Sequence, residues 1–241
     1  MPLSSPRRLF WLLWFGALAL WIAVVLFPLS TLSTRVAGLA LFSAVWAGLL
    51  GLCWRRRLVR WALLGFTTLC GIFLALPGRG SVSGEVLRAD YAAGLRRYDG
   101  VTYVWGGESP RGIDCSGLVR RGLVDALFCR GLRGLDPGLV RQSFALWWND
   151  TTAKVLGETP PGLTTRVLET TSLNELDPAQ LVPGDLAVSF SGIHIMAYLG
   201  DRHWIEADPQ DGRVVTVTVP GAGSPWFNSR MKIVRWELLS H

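Results

Sequence analysis

Residues 103–119 read YVWGGESPRGIDCSGLV: a short apolar stretch, a glycine-rich loop, and a cysteine set between small and polar residues where an amphipathic helix begins. From Ser116 to Arg130 the apolar residues Leu118, Val119, Leu123, Ala126 and Leu127 recur at helical spacing and predict one buried stripe. Asp114, or Cys115 and Ser116, would cap that helix. A cysteine there meets unpaired backbone N–H groups and the positive end of the helix dipole, which favour thiolate over thiol. Such sites bring a cysteine pKa from about 8.5 to between roughly 3.5 and 7.5. Position alone fits a small buried cysteine equally well.

On the N-terminal side the helix–loop pattern continues. Ser81 or Ser83 offers a cap, and Val86, Leu87, Tyr91 and Leu95 mark a helix that runs to Arg97 and stops at the Asp99-Gly100 turn. On the C-terminal side, residues 131–182 are rich in Pro, Gly and Thr, with one short helix expected near 138–149. Trp147 and Trp148 in that segment are expected to pack in its core, a lid or membrane contact being the alternative. The last third is β: 186–190, 193–199, 203–207, 214–219 and 231–236 are short, β-branched or aromatic, and separated by turn residues. Helices followed by a meander of strands describe an α+β domain, and about 160 residues suffice for its own core.

What precedes this domain differs in kind. Half of the 241 residues are hydrophobic, and the excess sits at the N-terminus, where 9–29, 36–54 and 61–78 are apolar runs, each free of charge throughout. Runs of roughly 17 to 21 residues at about 1.5 Å rise match a hydrocarbon core about 30 Å thick, so three transmembrane helices are expected. The first run is longer than a signal-peptide core and lacks a convincing small-residue cleavage site, which makes it a retained anchor. The domain division expected is 1–80 for the anchor and 81–241 for the α+β unit.

Arginines orient the anchor. Arg7 and Arg8 precede the first span, and Arg55, Arg56, Arg57 and Arg60 fill the turn between the second and third, whereas the first loop holds only Arg35. The positive-inside rule then puts the N-terminus and that turn in the cytoplasm, and everything after Arg79 outside. The net charge of +6 is of the same origin: residues 1–80 carry eight arginines and no acid, while 81–241 hold sixteen basic residues against eighteen acidic ones. A nucleic-acid partner is therefore excluded for lack of clustered positive charge on the domain.

Four cysteines are present, two of them, Cys53 and Cys70, in membrane spans. Cys115 and Cys129 on one helix lie about 21 Å apart, beyond disulfide reach. A thiol nucleophile needs a general base, and the chain has three histidines, of which His241 is terminal. His194 opens the strand IHIMAYL and His203 follows the turn Gly200-Asp201-Arg202. With a hairpin centred on Gly200, His194 faces Glu206 directly, close enough for the carboxylate to accept Nδ1–H and fix the imidazole, although such a pair is also a common surface contact. A bulge at the turn would slip this register. No CxxC or HExxH spacing points to a metal, and no cofactor is called for.

Taken together, YVWGGESPRGIDCSGLV, LVPGDLAVSF and HIMAYLGDRHWIEA resemble the NlpC/P60 family of papain-like cysteine peptidases of bacterial cell walls, over most of residues 84–236. The resemblance implies helices packed on an antiparallel sheet, with Cys115 as nucleophile and His194 as base. It implies Tyr103 as a residue lining the site and helping to hold the oxyanion, and Glu206 in the third catalytic position, where the family most often has His and also uses Asn or Gln. Asp114, Ser116 and Trp105 match family positions that shape the helix start and the peptide-binding subsite. Pro183-Gly184-Asp185 matches as a structural turn. The substrate implied is peptidoglycan stem peptide, cleaved at a D-γ-glutamyl to diamino-acid bond; joined to the three expected spans and their orientation, this describes a multi-pass protein of the bacterial cytoplasmic membrane whose domain faces the wall. Two departures stand out: no wall-binding module is visible, and the segment between Cys115 and PGDL is longer than typical. A thiol amidase or acyltransferase acting on a lipid or another peptide, and a catalytically silent wall-binding protein, are the alternatives.

Overall fold

The computed structural model describes residues 5–80 and 82–240. Three long apolar helices come first: α1 (Ser5–Leu26), α2 (Leu32–Cys53) and α3 (Arg57–Ala75). Each is long and apolar enough to cross a membrane. Leu9, Leu12, Leu13, Phe66 and Leu69 are among many large apolar side chains they leave exposed, a surface suited to lipid rather than to water. The helix α2 starts four residues before the expected span because Thr31 caps it, its side chain accepting from the N–H of Thr34 while the Thr34 hydroxyl reaches back.

The remainder is α+β. α4 (Gly84–Arg96) is capped by Ser83, and Ser81 and His241 lie outside the described residues. A two-residue pair, β1 (Glu108–Ser109) with β2 (Gly112–Ile113), closes the glycine-rich loop before α5 (Cys115–Arg133). α6 (Pro137–Trp148) and α7 (Ala153–Gly157) follow, then β3 (Thr164–Thr170), β4 (Leu186–Ser189), β5 (Ile195–Gly200), β6 (His203–Asp208), β7 (Arg213–Thr218) and β8 (Met231–Trp236). The strands form one antiparallel sheet in the order β3-β8-β4-β5-β6-β7. The expected meander therefore covers only β4 to β7. β8 returns to the far side of β4, and β3, absent from the sequence reading, pairs outside it.

Strand periodicity divides the core. Leu186 and Val188, Ile195 and Ala197, Ile205 and Ala207 share one core with Tyr91 and Leu95 of α4 and Leu118, Leu123 and Leu127 of α5. The intervening Ala187, Met196, Tyr198, Trp204 and Ile233 form a second core with Leu173 and Phe227. Both faces of the central strands are thus buried, which holds β5 and β6 rigidly behind the N-terminus of α5. Asp185 has a structural role, as expected: fully buried, it takes two bonds from Arg235 at 2.6 and 2.8 Å and one from the N–H of Val182.

Candidate active site

Cys115 is the first residue of α5, and Asp114 is its cap. The two Asp114 oxygens are used on both sides: Oδ1 accepts from the N–H of Gly117 at 2.6 Å and from the Ser116 hydroxyl at 3.0 Å, and Oδ2 accepts from the N–H of Gly106 at 2.8 Å. The cap thereby ties the glycine-rich loop to the helix start. Gly117 is obligatory here, since a Cβ would run into the carbonyl oxygen of Gly107.

The thiol is 8% exposed, with Sγ 4.0 Å from the carbonyl oxygen of Ile193, the residue before His194. The surroundings of the sulfur work against the expected thiolate. Burial pushes the thiol up to about 12 and the Asp114 carboxylate adds to this, against backbone N–H groups that pull the other way. Removal from water thus opposes the helix N-terminus and favours the protonated sulfur.

His194 precedes β5, its ring and backbone buried; its N–H and that of Ile193 both donate to Ser189 Oγ. Its Nε2 lies 2.5 Å from Glu206 Oε2, and Glu206 is fully buried. The nitrogen is Nε2 and not Nδ1, and the register is not the expected one. Tyr198 pairs with Trp204 and Gly200 with His203, around a two-residue turn in which Asp201 and Arg202 have φ of 50° and 65°. Positive φ at both central positions is the type I′ pattern, and a bulge at Leu199 completes the shift. The displacement from the expected pairing is two residues, an even number, so Glu206 stays on the face of His194.

A cleft of about 730 Å³ is lined by Tyr103, Trp105, Asp114, Cys115, Ser116 and His194, among others. Tyr103 is half-buried; burial, followed by the neighbouring acidic groups Cys115, Asp114 and Asp208, which repel a second negative charge once ionised, pushes its phenol up to about 12. Trp105 is 82% exposed at the rim. Cys129, farther along α5, is a free thiol with no place in the cleft.

Two features escaped the sequence reading. The indole of Trp226 stacks on the His194 ring, centroids 4.4 Å apart and planes 18° from parallel. It comes from the irregular segment before β8, where no spacing relates it to the histidine. Trp147 and Trp148 do not fill a local core either: Trp147 lies under the Arg35 guanidinium, and the Trp148 carbonyl accepts a bond from it.

With that geometry in place, the family comparison is specific to the loop and helix that carry the cysteine. Residues 100–130 match the model of the NlpC/P60 family. Over those residues the chain is similar to that family. Among solved structures, the chain is similar to NlpC2 from Trichomonas vaginalis (18% identity, 62% of this chain and 46% of that one, TM-score 0.41). It is also similar to an NlpC/P60 family protein from Bacillus cereus (15%, 64% and 40%, TM-score 0.40) and to the peptidoglycan hydrolase RipB from Mycobacterium tuberculosis (20%, 63% and 65%, TM-score 0.38). The chain spans less than half the length of the first two. None of the curated proteins matches it.

Proposed function

We propose that this chain is a membrane-anchored cysteine peptidase of the bacterial cell wall, with residues 1–80 as anchor and 81–241 as catalytic unit. The observation that carries the reading is that Cys115, with Sγ 4.0 Å from the carbonyl oxygen of Ile193, lines one cleft with His194, whose Nε2 is held by the buried Glu206. With Nε2 engaged, Nδ1 is the atom left to take the thiol proton as sulfur attacks the scissile carbonyl. The N–H groups at the start of α5 and the Tyr103 hydroxyl stabilise the oxyanion. His194 then protonates the leaving amine and activates the water that releases the acyl-enzyme, while Glu206 orients the ring and balances the imidazolium. Asp114 and Ser116 shape the floor of the peptide subsite and Trp105 its rim.

The substrate is the peptidoglycan stem peptide, cut at the D-γ-glutamyl to diamino-acid bond, and the bilayer is the second partner. Mass spectrometry of muropeptides incubated with the full-length protein should show that fragment pair, absent with Cys115→Ala. Intact muropeptides with both proteins would refute the assignment. The arginine distribution supports a cytoplasmic N-terminus and an external catalytic unit. A reporter active only outside the cytoplasm should work when fused after Ser240 and fail when fused before α1.

One observation favours a second reading, a thiol amidase or acyltransferase on a lipid. A groove of about 330 Å³ between α1 and α2, lined by Trp21, Val25, Gly38 and Phe42, shares Ser30 and Glu108 with the cleft. Consumption of a lipid amide, with muropeptides untouched, would select it.

A further inference from the structure

In the sequence Arg35 counts as the single positive charge of an external loop; in the structure its side chain is 2% exposed. Its Nη2 lies 2.9 Å from Glu108 Oε2, Nη1 donates to the Trp148 carbonyl at 2.9 Å, and Nε donates to Ser30 Oγ at 3.0 Å. Arg120 of α5 closes the other side of Glu108 at 3.2 Å and binds Asp150 at 2.6 Å. The backbone follows the same line. Leu29 bridges Gly107, the N–H of Ser30 donates to the Gly106 carbonyl at 2.9 Å, and the N–H of Glu108 donates to the Pro28 carbonyl at 3.3 Å.

The same residues hold the nucleophile on their other edge, where the N–H of Gly106 reaches Asp114 Oδ2 and the N–H of Asp114 reaches the Gly107 carbonyl at 3.0 Å. Residues 106–108 are therefore a strip one strand wide between the membrane hairpin and the start of α5. Two glycines give such a strip little stiffness of its own, so its place is fixed by what grips it from outside. Ser30 also lines the cleft.

The geometry points to the loop between α1 and α2 as an outer wall of the catalytic cleft, with Arg35 as a positioning residue that, through Glu108, holds Gly106 and Gly107 against Asp114 and so sets the place of Cys115. The inference rests on Cys115 being the nucleophile. Under it the membrane segment completes the site as well as tethering it.

A comparison inside the molecule makes the test specific. Arg141 of α6 also ties the domain to the anchor, bonding the Leu74 and Leu76 carbonyls near the end of α3 at 2.7 and 2.6 Å, at a place apart from the strip that Arg35 grips through Glu108. Full-length protein in nanodiscs is assayed as parent, Arg35→Gln, Arg35→Lys and Arg141→Gln, for stem-peptide hydrolysis and for iodoacetamide alkylation of Cys115 followed by peptide mapping across pH. Arg35→Gln is expected to lose about 10²-fold in kcat, the scale of a misplaced reacting group, with KM changed less than about threefold, and to shift the alkylation profile of Cys115. Arg35→Lys recovers part of the loss, restoring charge without the planar fork, and Arg141→Gln behaves as the parent.

If Arg35→Gln fails to fold around a buried Glu108 left with Arg120 alone, the double variant Arg35→Gln/Glu108→Gln removes that charge and should show the same kcat loss. Parental kcat and parental alkylation in a folded Arg35 variant would overturn the proposal, as would equal losses in Arg141→Gln. Should the parent itself leave stem peptides intact, the functional reading falls and the alkylation profiles still decide the wall.

Discussion

Glu206 Oε2 stands 2.5 Å from His194 Nε2 with both side chains withdrawn from solvent, and Oε1 has no hydrogen-bond partner among the described residues. The whole polar engagement of this carboxylate is therefore with the imidazole. Where an amide or a second histidine would only orient the ring, a carboxylate also balances the charge that the ring acquires when it takes the thiol proton. Glu206→Gln preserves volume and removes that charge. It is expected to lower kcat on stem peptides by about 10²- to 10⁴-fold while circular dichroism stays that of the parent. Unchanged turnover would make Glu206 a packing residue.

The thiol yields a second prediction, with a definite sign. The folded state holds Cys115 up to about 12, above the value of about 8.5 of a free cysteine. An acid whose pKa is raised by folding keeps its proton where the unfolded chain loses it, so stability is full below about pH 8.5 and falls as pH rises toward the folded value. Tm should decline between about pH 8.5 and 10, below the range of the tyrosines, and Cys115→Ser should flatten that decline. At neutral pH the thiolate absorbance of Cys115 should be missing in the free protein. A thiolate band at pH 7 would show that the resting site is an ion pair.

Trp226 faces the imidazole in near-parallel contact, and the face of an indole attracts a cation. Under the proposed mechanism an imidazolium formed during acylation would benefit more than the neutral ring does. A contact of about 0.5–1 kcal/mol corresponds to a loss of about two- to fivefold in kcat/KM for Trp226→Leu, with Trp226→Phe between parent and Leu. Equal rates for all three would reduce the indole to a cover over the ring.

How far the sequence discloses this site depends on the range of the forces involved. The N-cap at Asp114, the apolar stripe of α5 and the three long apolar helices are local patterns, and each appears within a few residues of where its sequence indicates. The pairing of His194 with Glu206 survives a wrong register because strand faces repeat every two residues and the slip was even. Non-local features were not legible. Nothing in the order of residues says that β8 returns beside β4, that Trp226 covers the histidine, or that Arg35 is buried in a pair with Glu108. The thiol misled for another reason: the helix terminus is visible in sequence, whereas the burial that overrides it exists only after folding.

The closest packing at the site supplies the last prediction. A Cβ at Gly117 would overlap the carbonyl oxygen of Gly107, and that oxygen is already fixed by the N–H of Asp114. The obstacle is backbone, so no rotamer change relieves it, and the whole strip must retreat from the helix. Gly117→Ala is expected to cost about 1–3 kcal/mol of stability, the range for overpacking a tight contact, despite the better helix propensity of alanine. Retreat of the strip also pulls on Asp114, so kcat should fall with Tm, and a Cys115 alkylation rate unlike that of the parent should accompany the loss. A Gly117→Ala protein with parental Tm and turnover would mean that residues 106–108 are free to move, contrary to the way both of their edges are held.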